Sequence, residues 1–201
     1  MDMALTLYQA FLPQTWQYNT AISAQEQPSL VDRCKAGDRK AQFELYQQYV
    51  KAMYNVCLRI TNHEADAEDV LQEAFILAFR KIGDFRGEST IGAWLKRIVV
   101  NTAINEMRKR RMELTPLDIL RTKEDDTETV RQDEENIFLQ VEAVKKAIKQ
   151  LPDGFRVIIS LYLLEGYEHN EIAEILGISV STSKSQYLRA KAKLRELLGK
   201  I

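Results

Sequence analysis

The sequence predicts an all-α protein of two helical domains joined by a flexible acidic linker. Three observations carry that expectation. Apolar residues recur at three- and four-residue spacing over most of the chain, the signature of helices with one buried stripe. No stretch alternates in the manner of a strand. One interval, Glu113 to Glu135, loses its periodicity and fills with acid.

Residues 1–28 mix Tyr8, Phe11, Trp16 and Tyr18 with polar residues and Pro28, hold no sustained period, and are expected to form an N-terminal extension. The first domain is expected over 29–111. Its long helix follows Asp38, a suitable N-cap after Gly37, with Phe43, Tyr46, Tyr49, Val50, Met53, Cys57 and Ile60 on one stripe. Asn62 interrupts the pattern and is expected to cap the next helix, whose stripe is Ala67, Val70, Leu71, Ala74, Phe75 and Ala78. A turn follows at Gly83-Asp84-Phe85-Arg86-Gly87. Ser89 is then expected to cap a helix carrying Ile91, Leu95, Ile98, Val99 and Met107.

In the linker, expected over 112–137, Asp118, Glu124, Asp125, Asp126, Glu128, Asp133 and Glu134 outnumber Arg121, Lys123 and Arg131, so it repels itself and extends. The second domain, 138–201, opens with Val141, Val144 and Ile148 at helical spacing. It breaks at Pro152-Asp153-Gly154 and resumes through Phe155, Ile158, Ile159, Tyr162 and Leu163.

The segment Glu171 to Thr182, EIAEILGISVST, has the layout of a helix-turn-helix. Ala173 is small where two helices cross, Gly177 supplies a left-handed turn, and Ser179 caps the second helix. Ile172, Leu176, Ile178 and Leu188 are expected in the core between them. Thr182, Lys184, Ser185, Gln186 and Arg189 are expected to face outward toward phosphates and base edges. A plain helical hairpin with a basic surface is the structural alternative.

Composition limits the function. The 201 residues are 45% hydrophobic and 28% charged with a formal net charge of −1, ordinary for a globular protein. That total conceals segregation: Lys96, Arg97, Arg108, Lys109, Arg110 and Arg111 form one basic group, and Lys184, Arg189, Lys191, Lys193, Arg195 and Lys200 another. Two cationic surfaces suited to phosphate are therefore expected beside separate acidic ones. No nucleophile constellation, metal-ligand spacing or phosphate-cradling Gly-rich loop is present in the sequence, so neither catalysis nor a cofactor is expected. Cys34 and Cys57 read as buried reduced thiols. Without a membrane-length apolar run or a signal-peptide pattern, the expected location is the cytoplasm.

Two further patterns lie in the first domain. Asp66, Asp69 and Glu73, with Gln72 beside them, fall on one face of their helix, either a solvated face or an interface. From Phe85 to Arg97, Phe85, Arg86, Ser89, Trp94, Lys96 and Arg97 mix rings with cations, a combination that holds single-stranded nucleic acid by stacking and phosphate contact. Asn101, one turn beyond Arg97, can bond an exposed base edge. Trp94 is otherwise a core residue.

Taken in order, DAEDVLQEAF at 66–75, Phe85-Arg86-Gly87, Trp94-Leu95-Lys96-Arg97-Ile98 with Asn101, Leu151-Pro152 and the helix-turn-helix resemble the extracytoplasmic-function sigma factors of the sigma-70 family. The resemblance covers about 29–111 and 138–199. It implies a region-2-like helical bundle, a linker and a region-4-like helix-turn-helix domain. Its implied partners are core RNA polymerase, promoter DNA and an anti-sigma protein. By resemblance, Asp66, Asp69, Gln72 and Glu73 dock on the largest polymerase subunit, and the second domain sits on the flap of the other large subunit. Phe85, Arg86, Ser89, Trp94, Lys96, Arg97 and Asn101 read and hold the minus-ten element. Thr182, Lys184, Ser185, Gln186, Leu188 and Arg189 read the minus-thirty-five element. The acidic linker is expected to thread near the RNA exit path.

Three positions depart from the family pattern. Leu77 stands where some relatives carry a basic residue, which shifts the expected strand-binding charge toward Arg80 or Lys81. Ser183 stands where many carry valine, and Gln186 replaces a common arginine. A dimeric operator-binding regulator, or an adaptor that binds only protein, is the rival reading. The first would bind duplex tightly by itself, and the second would not depend on Lys184 or Arg189.

Overall fold

The computed structural model describes residues 27–113 and 134–199. These fall into eight α-helices and two short tighter or wider turns, with no strand among the described residues. They group into two compact units that part at Lys109–Arg110.

In the first unit α1 spans Gln27–Lys35, α2 Arg39–Thr61, α3 Glu64–Lys81 and α4 Ile91–Glu113, with a 3-10 turn at Ile82–Asp84. Asp38 caps α2 as expected: its carboxylate accepts from the Lys40 and Ala41 amides at 2.8 and 3.3 Å. The Arg33 guanidinium bonded to it, together with those amides, holds its carboxyl below the usual range. Asn62 does not cap α3. It closes α2 in the left-handed region at φ 58°, donating its amide to the Leu58 carbonyl, a conformation that asparagine tolerates better than most residues. The chain therefore reverses within two residues, and α3 packs along α2.

The core of this unit is Leu45, Met53, Val56, Cys57 and Ile60 from α2, Ala67, Val70, Ala74 and Phe75 from α3, and Ile91, Leu95, Val99, Val100 and Ala103 from α4. Phe43, placed on the buried stripe by its spacing, is 59% exposed, and Leu45 takes the inward position. Gly92 lies against Tyr49: a β-carbon there would stand 2.8 Å from the Tyr49 Cε1. Ser89 does not cap α4 either. The Thr90 hydroxyl accepts from the Ala93 amide at 3.2 Å, whereas Ser89 Oγ turns to the Thr90 carbonyl.

In the second unit α5 spans Glu134–Lys149, α6 Asp153–Ile159, α7 His169–Leu176 and α8 Val180–Leu198, with a π turn at Ser160–Leu164. The ends of the expected linker are thus helical, through Glu113 and again from Glu134. Its middle, like most of the N-terminal extension, lies outside the described residues. Val144, Ala147, Ile148, Leu151, Ile159, Ala190 and Leu194 form the core, with Phe155, Leu163 and Tyr187 packed on it. Arg156 is buried at the α5–α6 turn, donating to the Leu151 carbonyl at 3.2 Å and pairing with Asp153 at 2.7 Å. The π turn, marked by the Glu165 amide bonding the Ser160 carbonyl, was not foreseen. Such turns leave no periodicity in sequence.

Candidate nucleic-acid interface

The helix-turn-helix forms as its residues dictate. At the start of α7 the Glu168 amide donates to the Glu171 carboxylate at 2.8 Å. At its end Gly177 takes φ 63°, and the Ile178 amide reaches back to the Ala173 carbonyl at 3.0 Å, a glycine-type helix stop. Ser179 Oγ then accepts from the Thr182 amide at 3.0 Å and caps α8. The two helices cross over Ile172 and Ala173, with Ser183, Ala190 and Leu194 forming the inward edge of α8.

That register fixes which residues face out. Lys184, Ser185, Leu188 and Arg189 are exposed, and Thr182 and Gln186 are half-buried. Leu188 is 65% exposed, so it does not fill the core as its apolar character suggested; it stands on the same outer face as Lys184 and Arg189. Leu176 and Ile178 are only half-buried. Ser185 Oγ donates to the Thr182 carbonyl, which leaves its lone pairs outward. The buried Ser183 has its hydroxyl 2.9 Å from His169 Nδ1.

In the first unit the acidic stripe is shorter than its spacing implied. Asp69, Gln72 and Glu73 are exposed. Asp66 is 6% exposed and lies 3.5 Å from His63 Nδ1, so it is not part of a free docking face. At its place stands Ile76, 52% exposed, a residue that the reading of charges passed over. It falls seven residues after Asp69 and four after Gln72, in register with the acids, and that register was the available signal. Glu73 also borders a shallow groove shared with Leu77, Thr102, Asn105, Glu106 and Lys109.

The aromatic and basic segment splits in two. The Phe85 ring is 9% exposed and packs on Trp94, with centroids 5.5 Å apart. Lys35 donates to the Phe85 carbonyl at 2.8 Å and sits 5.9 Å from its ring. In the free chain the Phe85 ring is therefore covered by Trp94 and Lys35. Trp94 and Lys96 are half-buried, and Arg86, Ser89, Arg97 and Asn101 are exposed. Trp94, Arg97 and Asn101, spaced three and four apart, share one stripe of α4, which Asn105 and Arg108 continue.

Among the described residues no three His, Cys, Asp or Glu stand close enough to hold a metal, and no helix is long and apolar enough to cross a membrane. Cys34 and Cys57 are both free and buried, and burial pushes the Cys57 thiol up to about 12.

Comparison with known proteins places these features. The family profile Sigma-70 region 2 matches residues 45–113, and Sigma-70, region 4 matches 142–194. The chain is 32% identical over 185 residues to the RNA polymerase sigma-H factor of Pseudomonas aeruginosa, covering 88% of this chain and 96% of that protein. It is 36% identical over 171 residues to the ECF RNA polymerase sigma-E factor of Haemophilus influenzae, covering 81% and 90%. Among solved structures, the sigma factor RpoE in complex with the anti-sigma factor NepR from Bartonella quintana aligns with a TM-score of 0.55 at 26% identity, over 78% of this chain and 97% of that one.

Proposed function

This chain belongs to the extracytoplasmic-function group of the sigma-70 family, and on that premise we propose how its surfaces divide the work of promoter recognition. The chain binds core RNA polymerase and directs initiation at promoters with minus-ten and minus-thirty-five elements. It supplies specificity while the polymerase supplies the chemistry, and its place is the cytoplasm, where the polymerase is. The domains are the region-2-like unit, taken as 29–111, and the region-4-like unit, taken as 138–201, with 112–137 between them.

Docking falls to Asp69, Gln72, Glu73 and Ile76 on α3, an acidic face with one exposed aliphatic residue. An apolar centre rimmed by charge is the usual make-up of a protein contact. Trp94, Arg97 and Asn101, with Arg86, Ser89 and Lys96, hold the opened minus-ten strand, and Phe85 acts beneath them as the support of Trp94. A ring stacking on a base contributes about 1–3 kcal/mol, enough to offset an unpairing cost of a few kcal/mol. Lys184, Ser185, Leu188 and Arg189, flanked by Thr182 and Gln186, read the minus-thirty-five element. A relative crystallised with an anti-sigma factor supports the further reading that such a protein holds this chain inactive by covering these surfaces.

The observation that carries the proposal is that the acidic and cationic faces are exposed on different helices of the two matched family regions. Gel filtration of the chain with core polymerase tests it. Co-elution is expected for the native chain. Asp69→Lys with Glu73→Lys is expected to abolish it while the helical signal and melting stay unchanged, and undiminished co-elution would remove α3 as the docking face.

A further inference from the structure

Where the helix-turn-helix joins the rest of its unit, three rings meet. His169 is the first residue of α7; its ring stacks on Tyr162 of the π turn at 4.6 Å and 19°, and meets Tyr187 of α8 edge-on at 5.6 Å. Tyr162 and Tyr187 touch at 4.5 Å. From this cluster His169 Nδ1 reaches the Ser183 hydroxyl at 2.9 Å. Ser183 is wholly buried, and a buried hydroxyl without a partner is costly.

We propose that His169 is a positioning residue for minus-thirty-five recognition: its hydrogen bond to Ser183, clamped by Tyr162 and Tyr187, fixes the rotation of α8 and so the direction in which Lys184 and Arg189 present themselves. Ser183 and Lys184 are neighbours in sequence, about 100° apart around the helix. Any roll that freed Ser183 would swing Lys184 off the groove-facing side. Generic apolar packing at 183 would hold the helix down without setting its roll this way, because only the hydrogen bond is directional.

The cluster also carries a pH dependence. Desolvation, and then the nearby Lys184 ammonium, push His169 below its ordinary value of 6.5. The groups facing it are Lys184 and the Tyr187 phenol from α8 and the Tyr162 phenol from the π turn. On its own helix the Glu171 carboxylate is engaged by the Glu168 amide. A depressed folded value means that the stability contributed by neutral His169 is fully present above pH 6.5 and is lost as the pH falls through the lower folded value.

The proposal rests on the reading of α8 as the recognition helix, and the test keeps the two apart. Holoenzyme assembled from the full chain and core polymerase is titrated onto promoter fragments with an intact or scrambled minus-thirty-five element, from pH 8 to about 5.5. The readout is the affinity ratio between the fragments. His169→Ala is expected to lower that ratio at least tenfold, and Ser183→Val to lower it comparably, with the double substitution little worse than either. His169→Asn, whose amide stands near the place of Nδ1, is expected to restore the ratio and to flatten its decline below pH 6.5. Additive effects, or an unchanged ratio in His169→Ala while Lys184→Ala lowers it, would overturn the proposal. So would a loss that Asn does not restore, since that marks a merely structural histidine. If Lys184→Ala and Arg189→Ala also leave the ratio unchanged, the reading of α8 fails instead.

Discussion

At the scale of single residues, the difference between Phe85 and Trp94 decides what each substitution does. Phe85 is buried beneath Trp94, so Phe85→Ala is expected to cost about 3 kcal/mol of stability, the usual cost of emptying a buried aromatic site. Trp94→Ala is expected to spare most of the stability and to impair strand opening, seen by permanganate reactivity of unpaired thymines at the promoter. Sequence showed that both rings belonged to one segment. It could not rank them, because Phe85 lies in an irregular turn where helical period assigns no face. Asp66 was misplaced for a related reason: its spacing puts it on the exposed stripe, but in the first turn of α3 it is buried, 3.5 Å from His63 Nδ1. Cys57 was legible as a buried thiol. With its thiol pushed up to about 12, it is expected to stay unreactive toward an aromatic disulfide reagent at pH 8 in the folded chain and to react when the chain is unfolded.

At the scale of elements, caps and close approaches account for what the sequence showed and what it hid. The turn of the helix-turn-helix was readable, because each of its constraints falls on a residue type: a left-handed glycine at 177, a capping serine at 179, a small alanine at 173; its core was read less well, since Leu188 stands outside it. The α2–α3 reversal was readable only in position. Asparagine both caps N-termini and tolerates left-handed closure, and sequence does not say which use applies at 62. The approach of α4 to α2 gave no signal beyond a glycine inside a helix. There Gly92→Ala gains up to about 1 kcal/mol of helix propensity, but its β-carbon would meet the buried Tyr49 ring at 2.8 Å. Overpacking costs about 1–3 kcal/mol, so a net destabilisation is expected in urea unfolding. Pairing it with Tyr49→Leu is expected to recover part of the loss, and a stabilised Gly92→Ala would contradict the packing.

At the scale of the whole molecule, a net charge of −1 conceals an acidic face on α3 and basic groups on α4 and α8. In the proposed division of labour, acid on α3 meets the polymerase, while the basic groups of α4 and α8 meet phosphate. Two modest DNA-reading surfaces become a specific one when a larger partner fixes their separation, because the second contact is then made at high effective concentration. Free chain is therefore expected to bind promoter duplex weakly and to lose that binding steeply with salt. The most direct measurement is multiple-round transcription from a promoter fragment with the chain alone, core polymerase alone, and both together. Transcripts from a defined start only when both are present are the predicted result. Tight sequence-specific binding by the chain alone, with no defined transcript on adding core polymerase, would contradict the account.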